Sequence, residues 1–282
     1  MDALRIGAHA YRFLTARPRS GRIVSSFRHG VNVLFDNMGP PGLISVQTVD
    51  VPLHPWAVET PGLVATRSAS SVVARDGVLR FAGVSVDLLK ARICPLGIKS
   101  YTKEEAEHAL TCWPRIAETL ERERPQDSSD PFEPQIGAIL AAWQETGNIE
   151  ILLELIGLGT GSTPSGDDVL VGLLAGLVAQ KEISALAAET LMGLSESILD
   201  GQKLLTPHGS AQSLQAATEN GFLEPLPALA RALARNDADP AILRTRLHAL
   251  AGLGSLSGRS LIRGFAAGLQ IDRSSENTLG PE

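Results

Sequence analysis

The chain has 282 residues, enough for one large domain or two ordinary ones, and 44% of them are hydrophobic. A formal net charge of −6 and an aromatic content of 4% argue against nucleic-acid partners, which need a basic surface and stacking side chains. Two cysteines, Cys94 and Cys112, are too few for a disulfide framework or a zinc site, so we expect a reduced, cytoplasmic setting. The longest apolar run, 169–179, is shorter than the about 20 residues that span a bilayer, so we expect no membrane partner.

Short β-strands are predicted between residues 21 and 89. The turn Asp76-Gly77 is typical of a tight hairpin, because both of its residues must adopt a positive φ. Runs rich in β-branched and aromatic residues, separated by glycine and proline, cover 23–27, 31–35, 43–49, 71–75, 78–81 and 84–88. The pattern predicts a β-rich domain over residues 1–100, built as a small antiparallel barrel or a sandwich.

The hydrophobic period changes after residue 100. Thr102 and Glu105 have the spacing of a capping box at the start of a charged helix, which Pro114 should end or kink. Helical periodicity then predicts helices over 135–145, 149–157, 168–180, 183–199, 210–219, 225–235, 240–251 and 259–269. The predicted fold class is α+β, with an all-helical domain over 101–282 following the β-rich one.

One glycine-rich loop stands out inside the helical half. It combines four glycines with several small hydroxyl residues and leads directly into the apolar run at 169–179, which indicates a helix buried on nearly every face. Hydroxyls and backbone N–H groups at a helix N-terminus are typical of an anion site. The candidate ligand-binding residues of this loop are Gly159, Gly161, Thr163, Ser165 and Gly166.

Asp167 and Asp168 close the loop and are the candidate catalytic residues. Two carboxylates cannot both face an anion without a cation between them, since like charges near 4 Å apart repel strongly in a partly buried setting. Three interpretations follow: one aspartate caps the helix while the other points away, Mg²⁺ bridges a carboxylate and a phosphate, or the pair binds the N–H groups of a carbamoyl or amide ligand. Under the second interpretation the cofactor is Mg²⁺, and Asp167 and Asp168 would be its ligands.

The loop and its helix recur near the C-terminus. The aligned residues are Gly157-Leu158-Gly159 with Gly252-Leu253-Gly254, Ser165-Gly166 with Ser257-Gly258, Gly172 with Gly264, and Gly176 with Gly268. Glycines four residues apart form a flat stripe along a helix, so the two helices are predicted to cross at these stripes with both N-termini on one cavity. This prediction adds Ser257, Gly258 and Arg259 to the ligand-binding candidates.

Two further polar residues are weaker candidates for ligand binding. His208 lies in the loop Thr206-Pro207-His208-Gly209-Ser210 between two predicted helices, where it either reaches a site or is a surface histidine. Asn32 lies between two predicted strands, where it either binds ligand or closes a turn.

The motif Leu158-Gly159-x-Gly161-x-Thr163-Pro164-Ser165-Gly166-Asp167-Asp168 resembles the signature of a bacterial family of unknown function. One characterised branch of that family is a subunit of oxamate carbamoyltransferase, used in anaerobic allantoin breakdown. The resemblance covers most of the chain and implies a β-rich N-terminal half and a helical C-terminal half. The family's second copy often carries an aspartate two residues after its Ser-Gly, and here Ser260 occupies that place.

The resemblance implies an enzyme or enzyme subunit that acts on a small carbamoylated or carboxylated nitrogen metabolite. The alternative is a non-catalytic small-molecule-binding or regulatory subunit that requires a partner chain. Both hypotheses include a small-molecule ligand and allow a partner subunit or a homo-oligomer.

Overall fold

The computed structural model describes residues 1–35, 42–62, 71–122, 130–200, 205–235 and 239–271. The first of two compact units comprises Met1–Gly97 and Gly221–Glu224, and the second comprises the described residues of Ile98–Asn220 and of the chain from Pro225 onward. The predicted α+β class is confirmed, because strands make up most of the first unit and helices the second. The division of the chain into domains at 1–100 and 101–282 stays a prediction. No helix among the described residues is long and apolar enough to cross a membrane.

The first unit is a nine-stranded, curled half-barrel sheet. Its strands are β1 (Arg5–Gly7), β2 (Arg19–Phe27), β3 (Gly30–Phe35), β4 (Leu43–Thr48), β5 (Ala57–Thr60), β6 (Ser71–Arg75), β7 (Val78–Phe81), β8 (Val84–Asp87) and β9 (Arg92–Cys94). The strand order is β8-β7-β6-β2-β3-β4-β5-β1-β9, and only the pairs β4–β5 and β1–β9 are parallel. Helix α1 (Ala8–Ala16) buries Phe13 and Leu14 in the core against the strand residues Val33 and Ile44.

The six predicted strands correspond to β2, β3, β4, β6, β7 and β8. The hairpin turn between β6 and β7 is also confirmed, since Asp76 and Gly77 have φ values of 54° and 71°. The prediction omitted α1 and the strands β1, β5 and β9. Strands β1 and β9 have three residues each, which is too short for an alternating pattern to be recognised, and the four residues of β5 are all buried, so they do not alternate.

A short segment from late in the chain, Gly221–Glu224, completes the first unit. The N–H of Phe222 donates to the carbonyl of Leu96 at 3.0 Å, and the N–H of Glu224 donates to the carbonyl of Leu53 at 3.0 Å. The carboxylate of Glu224 also accepts from the guanidinium of Arg5 at 2.5 Å, while Arg5 forms a second ion pair with the buried Glu59. The segment is therefore held in the first unit by backbone pairing and by charge.

The second unit contains nine helices among the described residues. They are α2 (Lys103–Arg122), α3 (Glu133–Thr146), α4 (Ile149–Leu153), α5 (Ser165–Gln180), α6 (Ala185–Asp200), α7 (His208–Thr218), α8 (Pro225–Leu233), α9 (Pro240–Ala251) and α10 (Ser257–Leu269). The capping box is confirmed, since Thr102 and Glu105 exchange hydrogen bonds of 2.7 and 3.3 Å. The helix does not end at Pro114, which lies inside α2.

All eight helices predicted from residue 135 onward are present, although only α9 has the predicted bounds, and two of the differences bear on the site. Helix α4 ends at Leu153 and not at residue 157. Helix α5 begins at Ser165 and not at residue 168, so residues 165–168 form its first turn. The prediction that α5 is buried on nearly every face is confirmed, because all 16 of its residues are buried.

Helices α5 and α10 cross at their glycine stripes, as the repeat predicted. A Cβ atom added to Gly172 would lie 2.0 Å from the carbonyl oxygen of Leu261, and one added to Gly264 would lie 1.8 Å from that of Val169. Since Val169 and Leu261 are aligned in the repeat, the two contacts are reciprocal. The helices approach so closely that only glycine fits at these two positions.

Candidate functional site

The glycine-rich loop turns sharply at three glycines before α5 begins at Ser165. Gly157, Gly159 and Gly161 have φ values of 74°, 132° and 88°, which side-chain-bearing residues rarely adopt. Gly166 in the first turn of α5 donates its N–H to the carbonyl of Leu158 at 2.8 Å. That N–H is consequently already used, which removes one of the donors expected for an anion.

The second copy of the loop is built in the same way. Gly258 donates its N–H to the carbonyl of Leu253 at 3.0 Å, which is the equivalent of the bond from Gly166 to Leu158. A Cβ atom on Gly166 would lie 2.1 Å from the oxygen of Leu155, and one on Gly258 would lie 1.9 Å from the oxygen of Leu250. In both copies, the glycine of the Ser-Gly pair thus allows the first turn of the helix to pack closely against the backbone that precedes it.

Asp167 is a buried carboxylate whose two oxygens are engaged by the protein. Oδ1 accepts from the N–H of Gly157 at 2.8 Å, and Oδ2 accepts from the hydroxyls of Ser210, at 2.6 Å, and Thr206. The group therefore ties the loop to the start of α7. Three donors satisfy a carboxylate well, so Asp167 has a structural function in this arrangement.

Asp168 differs from Asp167 because one of its carboxyl oxygens lacks a hydrogen-bond partner among the described residues. Its side chain is 9% exposed, and its Oδ2 atom is buried without any hydrogen-bond partner. The pKa of Asp168 is raised to about 8, chiefly because burial disfavours the charged form; a hydrogen bond from Ser257 lowers it in part, and the charge of Asp167 raises it. At neutral pH the group is therefore mainly an uncharged carboxylic acid, which can both donate and accept a hydrogen bond.

Thr163 and Ser257 connect the two copies of the loop near Asp168. Their hydroxyl oxygens are 3.0 Å apart, so the loop before α5 is hydrogen-bonded to the first residue of α10. Because Ser257 also contacts Asp168, the two helix starts meet around one carboxyl group. The two helix starts therefore come together at these three residues, and the prediction that both open on one cavity stays a prediction.

Neither aspartate caps α5, which corrects one of the three interpretations. The N-cap position is held by Pro164, and both aspartates lie within the first turn. Binding of an amide ligand by the pair is also disfavoured, because the oxygens of Asp167 are already used. Among the described residues, no group of three or more His, Cys, Asp or Glu side chains is arranged to hold a metal ion.

The other candidate ligand-binding residues of the second unit lie at the first turns of α5, α10 and α7. Ser165 is the first residue of α5, while Arg259 is half-buried in the first turn of α10 and is followed by the buried Ser260. His208 is the exposed first residue of α7, the helix whose Ser210 contacts Asp167.

Asn32 belongs to the first unit and lies within β3, so it does not close a turn. Its amide group donates to the hydroxyl of Ser25 at 2.9 Å and accepts from that of Ser45 at 2.7 Å. These bonds link three adjacent strands and account for the polar side chain without a ligand.

Sequence reasoning missed Thr206 and Ser210 as partners of Asp167. A signal was present, because Thr206-Pro207-His208-Gly209 repeats the Thr-Pro-x-Gly pattern of the loop at residues 163–166. In both places the proline is the N-cap residue of a helix, with φ and ψ of −52° and 139° at Pro164 and of −57° and 147° at Pro207. The shared pattern thus marks helix starts that converge on Asp167.

The fold and the site together define a two-unit α+β protein in which two equivalent helix starts surround one buried carboxyl group. Residues 155–269 match the family model described as oxamate carbamoyltransferase subunit AllH. The match supports membership of the chain in that family. No curated protein and no solved structure matches the chain significantly.

Proposed function

We propose that the chain is a subunit of a carbamoyltransferase of the oxamate carbamoyltransferase type, and that it binds a small carbamoylated carboxylate at the junction of α5 and α10. The observation that carries the proposal is the unpartnered Oδ2 atom of Asp168. A buried polar atom without a partner costs free energy, and a ligand that supplies the missing hydrogen bond removes that cost. The family match includes Asp168 and both residues that act on its pKa, Ser257 and Asp167.

The chemistry suits an uncharged acid. In the reaction of oxalurate with phosphate, a phosphate oxygen attacks the ureido carbonyl carbon, and the bond from that carbon to the oxamate nitrogen breaks. The products are carbamoyl phosphate and oxamate, and the departing nitrogen takes up the proton that the hydrogen phosphate gives up. Asp168 can donate its proton to that nitrogen and recover one from the phosphate, because its raised pKa keeps it protonated near neutral pH.

The test is binding and turnover with defined compounds. Calorimetry with oxalurate should show binding to the wild-type protein and an affinity about tenfold weaker for Asp168→Ala, since the ligand group left without its buried partner costs about 1–3 kcal/mol. Asp168→Asn preserves the shape but cannot transfer a proton, so it should retain part of the affinity and lose formation of carbamoyl phosphate. Equal affinity of oxalurate for the wild type and Asp168→Ala would refute the assignment of the site.

The alternative function, a binding subunit without chemistry of its own, shares the ligand and differs in turnover. The word "subunit" in the description of the matched family favours it. Oxalurate would then bind the purified chain in an Asp168-dependent way, and carbamoyl phosphate would form only after a partner subunit is added. Turnover by the purified chain alone excludes this alternative.

A further inference from the structure

The outward face of α6 carries two parallel rows of residues. Ala185, Met192 and Leu199 are seven residues apart and form an apolar row, since seven residues make almost two helical turns. The opposite face, with Ala187, Thr190, Leu194 and Ile198, is buried in the second unit. The outer apolar row is not: Met192 is 61% exposed and Leu199 is 50% exposed.

The second row is acidic. Glu189 and Glu196 are also seven residues apart, they are exposed, and they lie beside the apolar row along the helix. Asp200 extends this row by one more acid, and α6 contains no lysine or arginine. Lys181 and the exposed Glu182 precede the helix. On the far side of the acids, Leu186 is again exposed.

We propose that this face of α6 is the docking site for a basic amphipathic helix of another protein chain. An apolar row at heptad spacing, flanked by charges of one sign, is the arrangement through which helices choose partners of opposite charge. The proposal agrees with the subunit character in the proposed function but does not depend on the site at Asp168.

A second copy of the chain is the poorer occupant. In a two-fold antiparallel pair, each flank of a helix faces the same flank of its partner, so the acidic row would face its own copy. In a parallel pair the acids would face Ala188 and Ser195, which carry no positive charge. Self-association therefore leaves the acids uncompensated, whereas lysine or arginine side chains on a partner helix compensate them.

The full chain can be tested with a designed helical probe of about 20 residues, with leucine at its a and d positions and lysine at its e and g positions. A matched probe carries glutamate in place of lysine. We expect the lysine probe to bind at least about tenfold more tightly than the glutamate probe, and Met192→Lys to weaken its binding by at least about tenfold. Ile242→Lys, at another exposed apolar residue, adds the same charge elsewhere and should leave binding unchanged.

Reversing the charge of the acidic row tests whether that charge selects the partner. The double variant Glu189→Lys and Glu196→Lys should prefer the glutamate probe, because both substitutions lie on the exposed row and reverse its sign. Equal binding of both probes, or an equal effect of Met192→Lys and Ile242→Lys, would overturn the proposal. Sedimentation of the chain alone should show a monomer, and a dimer that Met192→Lys dissociates would assign the face to a second copy instead. None of these measurements involves oxalurate, so their failure is distinct from failure of the Asp168 site.

Discussion

The carboxyl group of Asp168 is hydrogen-bonded to the hydroxyl of Ser257, which joins the first turns of α5 and α10. The bond links the two copies of the repeat at their functional ends, while the reciprocal glycine contacts link them along their lengths. Asp168 therefore depends on both copies for its position and for its protonation state. Its equivalent in the second copy is Ser260, so the arrangement contains one such carboxyl group and not two.

The raised pKa of Asp168 predicts a specific dependence of stability on pH. The folded protein holds this proton up to about pH 8, whereas an unfolded aspartate releases it near pH 4. Between these values the folded state binds more protons than the unfolded state, so the free energy of unfolding falls as the pH rises, by at most about 1.4 kcal/mol per pH unit. Asp168→Asn cannot titrate, so it should gain stability relative to the wild type across this window in urea unfolding experiments. Parallel curves for the two proteins would contradict the prediction.

Asp167 should behave differently from its neighbour. Asp167→Asn removes one acceptor oxygen from a group that receives three donors and places an NH₂ group against them. We expect a loss of about 2–4 kcal/mol in the free energy of unfolding, because buried donors are left without acceptors. Asp168→Asn at the adjacent position is the matched control and should not destabilise the protein at neutral pH. A similar loss for both variants would show that the two aspartates do not have separate functions.

The crossing of α5 and α10 should tolerate no side chain at its closest points. Gly172→Ala and Gly264→Ala place a Cβ atom about 2 Å from a backbone oxygen, so each should cost at least about 1–3 kcal/mol through overpacking. Gly209→Ala in α7 is the control, because a Cβ atom there meets nothing within 4 Å. That variant should be neutral or stabilised by up to about 1 kcal/mol, since alanine favours helix more than glycine does.

The ion pair in the first unit should contribute more than a surface pair. Glu59 is buried and bonds the guanidinium of Arg5 through both carboxylate oxygens, and this pairing raises the pKa of Arg5. Glu59→Ala leaves the part-exposed Arg5 with Glu224 as a partner, so it should cost about 1.5–3 kcal/mol, less than the loss of one partner from a fully buried pair. Glu118→Ala breaks the exposed pair with Arg122 and should change the stability by less than about 1 kcal/mol. Thermal or urea unfolding of both variants decides between these outcomes.

Local patterns were sufficient for the parts of the fold that carry strong periodicity. Six strand runs, the turn at Asp76-Gly77 and the eight later helices all follow from side-chain period and turn chemistry. The insertion of Gly221–Glu224 into the first unit could not be predicted, because its partners Leu53 and Leu96 lie far away in the sequence. Pairing between distant segments leaves no local signal.

In the candidate site, too, local patterns predicted some features and tertiary packing determined others. The motif located Asp167 and Asp168, and the repeat located Ser257, but the sequence did not show which aspartate has which function. Their different functions depend on which oxygens find donors from Thr206 and Ser210, and that is set by the packing of α7 against the start of α5. Adjacent residues of one type can be told apart only when their surroundings are known.

The complete burial of α5 has a consequence for hydrogen exchange. A helix with one solvent-facing side can fray or open locally, but each of the 16 residues of α5 is covered by other parts of the protein. Its amide protons should consequently exchange only through the largest opening of the second unit and should be among the slowest in the chain. The carboxyl group of Asp168 would then be presented by the segment of backbone that opens least often.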